Sequence, residues 1–198
     1  MNTDCGSKLD NNEDVLKCLR SLKPTDCIAY RDRLLQKYHE GTCSWILSYP
    51  KYQHWNDDDN QRILWVHGIA GSGKSTLSAF LSERFEKNRT RGSPGVCYFF
   101  CDDKDDRLRT DHAILRDLLD QVLQQRPHAL RHFLAERDYA MYKETTSWNP
   151  EMFWRVLTRC LSDKSLGLMY FIIDALGKTS TLQLHYLWKR WLTVVRRM

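Results

Sequence analysis

The residues best suited to chemistry form one glycine-rich run in the first half of the chain. Residues 68–76 read Gly-Ile-Ala-Gly-Ser-Gly-Lys-Ser-Thr, which matches the pattern Gly, four residues, Gly-Lys, then Ser or Thr. The glycines let the backbone turn sharply, so that successive N–H groups point at one anion. Lys74 would place an ammonium on the terminal phosphates, and the Ser75 hydroxyl would ligate Mg²⁺. The run predicts a phosphate-binding loop whose nucleotide-binding residues are Gly68, Ile69, Ala70, Gly71, Ser72, Gly73, Lys74, Ser75 and Thr76.

The segments on either side of this loop predict the strand and the helix that it needs. Residues 63–66 are a short apolar run and predict a buried strand. Residues 75–87 predict a helix, because apolar side chains recur there at helical spacing: Leu77, Phe80, Leu81 and Phe85. In this order, the loop amides lie at a helix N-terminus, where anions bind.

A carboxylate further along the chain predicts the second half of a metal site. Residues 168–174 form an apolar run that ends in Asp174 and predict another strand. We expect the Asp174 carboxylate to hold Mg²⁺, directly or through water, opposite Ser75. Residues 96–101 form a third apolar run, typical of a strand that is covered on both faces.

The remaining elements predict an α/β fold, a P-loop NTPase-type parallel sheet flanked by helices and incomplete at the C-terminus. We expect residues 1–35 to form a polar, helical lead-in and residues 36–198 to form the P-loop domain. Thr42 is expected to cap a short helix that Pro50 ends, and residues 56–61 to form an acidic linker. Residues 181–198 read as a basic amphipathic helix, or as a strand at 191–195. Other apolar stripes at helical spacing predict helices near residues 30–35, 110–123, 127–134 and 150–161.

The composition narrows the class of protein. The 198 residues are 42% hydrophobic and carry a net charge of +5, which fits a globular domain and gives no reason to expect nucleic-acid binding. The seven cysteines are odd in number and scattered, so we expect reduced thiols rather than a zinc site. There is no signal-peptide pattern and no apolar run of membrane-spanning length. We therefore expect a cytoplasmic protein that does not bind membranes.

The order of these segments resembles a known family. The string Tyr-Phe-Ile-Ile-Asp-Ala-Leu at residues 170–176 is similar to the Walker B strand of fungal NACHT NTPases of the STAND class. The same region is described as a nephrocystin-like N-terminal domain, and the likeness covers roughly residues 16–176. It implies an ATP or GTP switch, flanked by an effector region and C-terminal repeats, that acts in self/non-self recognition and cell death. Further segments follow the family's order at residues 18–22, 41–47, 65–76, 98–100 and 115–119.

The chain departs from the family pattern in two ways. The family continues its Walker B motif with an acidic pair, one member of which is expected to orient the attacking water, but this chain has Gly177 and Lys178 there. We therefore expect weak or absent hydrolysis and assign no catalytic residue. The chain also stops 24 residues after Asp174, which leads us to expect a truncated gene product without the following strand or the repeats.

Two alternatives remain beside an ATP-binding, Mg²⁺-dependent switch. A loop without the catalytic acid could belong to a non-catalytic fragment that docks on full-length relatives through strand edges. Residues 174–177 also read Asp-x-x-Gly, a motif of GTPases, although no Asn-Lys-x-Asp motif for guanine is present. The charge run at 102–109 is expected to be a solvated loop, the alternative being that Arg107 or Arg109 reaches the phosphates.

Overall fold

The computed structural model describes residues 22, 24–58, 60, 63–88, 90, 92–102, 104–142 and 148–175, with no side chains described at 139–142. Its sheet has two parallel strands, β1 (Gly95–Phe100) and β2 (Met169–Asp174). Gly95 lies opposite Met169, and Phe100 lies opposite Asp174. Parallel neighbours require a long crossover, which here runs through helices. The α/β class with a parallel sheet flanked by helices is confirmed.

Seven α-helices fall within the described residues. Local sequence explains three of their starts, because the side chains of Asp26, Thr110 and Asn149 accept hydrogen bonds from backbone N–H groups of the first turn. Short 3₁₀ turns occupy Asp106–Leu108, Pro127–Ala129 and Lys164–Leu166. The helices are α1 (Cys27–Gln36), α2 (Trp45–Ser48), α3 (Pro50–Asp57), α4 (Lys74–Lys87), α5 (Asp111–Gln125), α6 (Leu130–Tyr142) and α7 (Pro150–Ser162).

Strand β1 is buried on both faces, as its continuous apolar run predicts. Its odd-numbered side chains, such as Phe99, face the larger core formed with α5, α6 and α7. Its even-numbered side chains, such as Tyr98, face a smaller core with Cys27 of α1 and Ala79 of α4. The phosphate-loop helix and the α5–α7 layer therefore lie on opposite sides of the same strand.

Three stacked aromatic rings form part of the larger core. Trp148 lies between the rings of Phe133 and Phe153, with centroid distances of 4.4 and 5.3 Å and nearly parallel planes. Glu136 of α6 is 1% exposed and accepts hydrogen bonds from Arg155 at 2.5 and 2.9 Å and from Arg159 at 2.9 Å. These contacts join α6 to α7, so that the layer behind β1 is held by both packing and ion pairs.

One sequence prediction is wrong in the segment before the glycine loop. Residues 63–66 form no strand with any part of the chain that the structure describes, and Trp65 and Val66 are 58% and 40% exposed. A strand needs a neighbour for its backbone groups, and among the described residues the sheet contains only β1 and β2. The short helix expected to stop at Pro50 does end just before it, at Ser48, and Pro50 also begins α3, because a first-turn residue needs no N–H donor.

The boundaries of other predicted elements also changed. Asn56 and Asp57 belong to α3, so the predicted acidic linker at 56–61 begins too early. The short helix α2 begins after Ser44 and not at a Thr42 cap. The predicted helix or strand within 181–198 lies outside the described residues, as do most of the residues before 24 and both members of the Gly177–Lys178 pair.

Candidate nucleotide site

The glycine loop joins an extended segment to the N-terminus of α4. Gly71 and Gly73 have φ angles of 77° and 82°, a region that side chains with a Cβ rarely adopt. Gly68 is required for a different reason, because a Cβ on it would lie 2.9 Å from the Ser72 hydroxyl oxygen. Glycine therefore suits all three positions of this compact turn, by backbone conformation at Gly71 and Gly73 and by space at Gly68.

Lys74 lies on the first turn of α4 and folds back over this loop. Its Nζ donates hydrogen bonds to the carbonyl oxygens of Gly68 at 2.8 Å and Ile69 at 2.7 Å, and it lies 3.4 Å from the Ser72 hydroxyl. The ammonium is held against the loop that was predicted to surround a phosphate. A fixed ammonium of this kind adds positive charge to the loop without any movement of the backbone.

The N-terminus of α4 adds backbone donors to the same place. Gly73 is the N-cap residue and supplies no side-chain acceptor, so the helix begins without a side-chain cap hydrogen bond. The first-turn N–H groups of a 14-residue helix therefore face the loop with the positive end of the helix dipole behind them. Ser75 and Thr76, also predicted to bind nucleotide, occupy this first turn and are partly exposed.

Asp174 ends β2 beside the same helix. Its side chain is 6% exposed, and its Oδ1 accepts a hydrogen bond from the Ser78 hydroxyl at 3.5 Å. Ser78 lies one helical turn after Ser75, so the carboxylate and the loop residues meet α4 on neighbouring turns. Among the described residues, the hydroxyl that contacts Asp174 is that of Ser78 and not that of Ser75, which the sequence had singled out.

The residue after Asp174 has an unusual backbone. Ala175 has a φ of 55°, and it is the one residue other than glycine with positive φ in the described chain. The left-handed region costs an L-residue about 1 kcal/mol. This conformation follows directly after the acidic residue that ends β2.

The other residues that could reach a phosphate have partners of their own. Arg107 binds Asp105 at 2.8 Å and is 81% exposed, and Arg109 binds Asp106 at 2.5 Å. The paired Arg107 holds the pKa of Asp105 at about 2, through side-chain and backbone hydrogen bonds. The acids of this loop thus occupy its arginines, as in the solvated loop that the charge run predicts.

Helix α1, which lies in the N-terminal segment predicted to be separate from the P-loop domain, packs against the elements that support the site. Arg31 binds Glu86 of α4 at 2.6 Å and lies 4.4 Å from the centre of the Tyr98 ring. The Thr25 backbone N–H donates to both carboxylate oxygens of Asp117 on α5, at 3.1 and 3.0 Å. Residues before the predicted boundary at 35 are therefore packed against β1, α4 and α5.

Burial also changes the acidity of carboxyl groups on α5. Burial raises the pKa of Asp117, although Thr25 and Arg116 bind it. Burial, together with the nearby Asp117, raises the pKa of Asp120 to about 6, although Gln124 donates a hydrogen bond to it at 2.6 Å. These groups lie on the framework helix and not in the loop.

Three features of the site and its framework were missed in the sequence. Ser78 is four residues after Lys74 on α4, and helical spacing alone could have placed it on the same face. The positive φ of Ala175 has no signal in the sequence, because alanine normally avoids that region. The backbone contacts of Gln121 and Gln125, described below, needed the position of α5 against β1.

The family model for the N-terminal region of nephrocystin 3 matches residues 41–192, which contain the loop, α4 and β2. The chain belongs to the nephrocystin 3 N-terminal family. No solved structure gives a significant match to the chain.

A curated relative supports the same assignment. The chain is 32% identical over 140 residues to the vegetative incompatibility protein HET-E-1 of Podospora anserina, a match that covers 69% of this chain. The match covers only 10% of that relative. Together, the two matches support a NACHT/STAND-like N-terminal region. No helix in the described part of the chain combines the length and apolar character that crossing a bilayer requires.

Proposed function

We propose that this chain binds a purine nucleoside triphosphate, ATP, together with Mg²⁺, and serves as the switch module of a NACHT/STAND-type signalling protein with weak or absent hydrolysis. The main support is the position of two charged side chains. The Lys74 ammonium is held over the glycine loop at the start of α4, and the Asp174 carboxylate lies beside the same helix. A positive loop with a neighbouring acidic residue suits a triphosphate and its metal ion.

The donor set fits magnesium. Mg²⁺ prefers oxygen ligands, commonly one or two carboxylates with water and phosphate oxygens. Asp174 offers a carboxylate, and Ser75 offers a hydroxyl on the adjacent turn of α4. When bound, the ion would neutralise charge on the phosphates. Ser78 would orient the Asp174 carboxylate, and Lys74 would pair with the terminal phosphate.

The preference for ATP and the weak hydrolysis rest on sequence. No Asn-Lys-x-Asp motif for guanine occurs, although residues 174–177 read Asp-x-x-Gly. Positions 177 and 178 carry no acid that could orient an attacking water. The signalling role is supported by the family and by the relative's name, and we expect it to operate in the cytoplasm.

The first test compares two lysines of the same helix. We expect Lys74→Ala to weaken binding of a fluorescent ATP analogue by about 100-fold or more in the presence of Mg²⁺, since it removes a charge-assisted contact to phosphate. Lys87→Ala is the matched control, because Lys87 ends α4, is 70% exposed and pairs with Glu83 at 2.9 Å. Titration by fluorescence anisotropy measures both affinities.

Each outcome of this titration has a clear meaning. Equal binding by wild type and Lys74→Ala would contradict the proposal. Absence of binding by all three proteins, with folded spectra, would instead favour a non-catalytic fragment that docks on relatives. Competition by GTP at lower concentration than ATP would reassign the base while keeping the phosphate site.

A further inference from the structure

Strand β1 has one edge on β2 and one edge that faces α5. The Gly95 N–H donates to the Leu168 carbonyl at 2.9 Å, and the Cys101 N–H donates to the Asp174 carbonyl at 3.1 Å. In a parallel pair, alternate residues face the partner strand. Val96 and Tyr98 therefore turn their backbone N–H and C=O groups away from β2, toward the outer edge of the sheet.

Two glutamines of α5 bind this outer edge. The Gln125 side chain accepts from the Val96 N–H at 2.9 Å and donates to the Val96 carbonyl at 2.7 Å. The Gln121 side chain accepts from the Tyr98 N–H at 2.9 Å and donates to the Tyr98 carbonyl at 2.8 Å. Each primary amide thus satisfies one donor and one acceptor, which is what a residue of a neighbouring strand would do.

The spacing of this glutamine pair, Gln121 and Gln125, matches the strand. Four residues of α-helix rise about 6 Å, and two residues of β-strand rise about 6.6 Å. Neighbouring positions of α5, including Leu118 and Val122, are apolar and fully buried. An amide among such residues loses hydration, and this loss is offset only when its donor and its acceptor are both used.

We propose that the glutamine pair closes the outer edge of β1 against addition of a strand from a second copy of this chain. The edge needs such protection. Residues 95–100 read Gly-Val-Cys-Tyr-Phe-Phe, an apolar segment without charge or proline, which is the composition that pairs edge to edge when it is exposed. With this edge closed, β1 is the outermost strand on its side of the sheet within the described part of the chain.

Amide hydrogen exchange tests the hydrogen bonds directly. In the wild-type protein, the Val96 and Tyr98 amides should exchange as slowly as those of Gly95 and Cys101, which donate to the carbonyl groups of Leu168 and Asp174. In the double variant Gln121→Leu/Gln125→Leu, diluted until it is monomeric, the first two amides should exchange at least about tenfold faster, while the other two remain protected. Unchanged protection at Val96 and Tyr98 would overturn the proposal.

A single variant keeps the proposal testable if the double variant does not fold. In Gln125→Glu, the new carboxyl group can both accept from the Val96 N–H and donate to the Val96 carbonyl only when it is protonated. The pKa of this carboxyl group should therefore be higher in the folded state than in the unfolded state. Its stability should be greatest at low pH and should fall as pH rises through that pKa. Gln36→Glu, at the exposed end of α1, is the matched control.

The melting temperatures of these two single variants should diverge steadily between pH 4.5 and pH 8, with Gln125→Glu the lower. Parallel curves of melting temperature against pH would contradict a role for both the donor and the acceptor of the Gln125 amide.

Sedimentation then tests whether the glutamine pair blocks a second copy of this chain. The double variant should self-associate at concentrations where the wild type and Gln36→Leu, an exposed change at the end of α1, do not. Identical sedimentation of all three proteins would rule out protection against a second copy.

Discussion

The loop at residues 68–73 and the layer formed by α5, α6 and α7 use their polar groups in different ways. The loop is exposed, and its ammonium, that of Lys74, binds carbonyl oxygens only a few residues away. The layer buries the Glu136 carboxylate of α6 and binds it through Arg155 and Arg159 of α7. Ligand affinity should therefore depend on the loop, whereas the stability of the fold should depend on the layer.

The largest expected effect is on stability and comes from the layer. Phe133 is fully buried and stacks on Trp148, so Phe133→Ala should lower the free energy of unfolding by about 3–5 kcal/mol. The matched loop change is Ile69→Ala, because Ile69 is 82% exposed, and it should cost less than about 0.5 kcal/mol. Urea denaturation measures both. Similar losses of unfolding free energy in the two variants would contradict this difference between the layer and the loop.

A smaller, pH-dependent effect is expected at Asp120. Its pKa is raised to about 6 from an ordinary 3.8, so the folded state holds the proton more tightly than the unfolded state. This contribution to stability is fully present below about pH 4 and is lost as pH rises through 6. Asp120→Asn should therefore be more stable than wild type by about 1–3 kcal/mol at pH 7.5 and nearly equal at pH 4.

Denaturation curves at several pH values check this prediction. Asp57→Asn, an exposed change at the end of α3, should show no such divergence from the wild type. A constant difference between Asp120→Asn and the wild type across the pH range would show that Asp120 does not titrate as its burial requires.

The smallest expected effect lies at the residue that follows Asp174. Ala175 has a φ of 55°, so Ala175→Gly should remove backbone strain and stabilise the protein by a few tenths to about 1 kcal/mol, less the added entropy of the unfolded chain. Ala135→Gly on the exposed face of α6 should instead destabilise by about 1 kcal/mol. Thermal unfolding compares them. A loss of stability in both variants would contradict the strained turn.

Much of this arrangement could be predicted from the sequence because it is encoded locally. The apolar runs of β1 and β2 and the capping residues Thr110 and Asn149 each signal their element within a few residues. The segment 63–66 could not be judged in this way, because an apolar run becomes a strand only beside another strand. The contact between Ser78 and Asp174 spans 96 residues and depends on how α4 packs against β2.

We propose above all that Lys74 and Asp174 bind one triphosphate together with its metal ion. The most direct measurement is the ratio of ATP-analogue dissociation constants without and with Mg²⁺, for the wild type and for Asp174→Asn. We predict a ratio of about tenfold or more for the wild type, since the ion bridges phosphate and carboxylate. For Asp174→Asn, which keeps the side chain's shape, we predict a ratio near one. Equal ratios in the two folded proteins would contradict the claim.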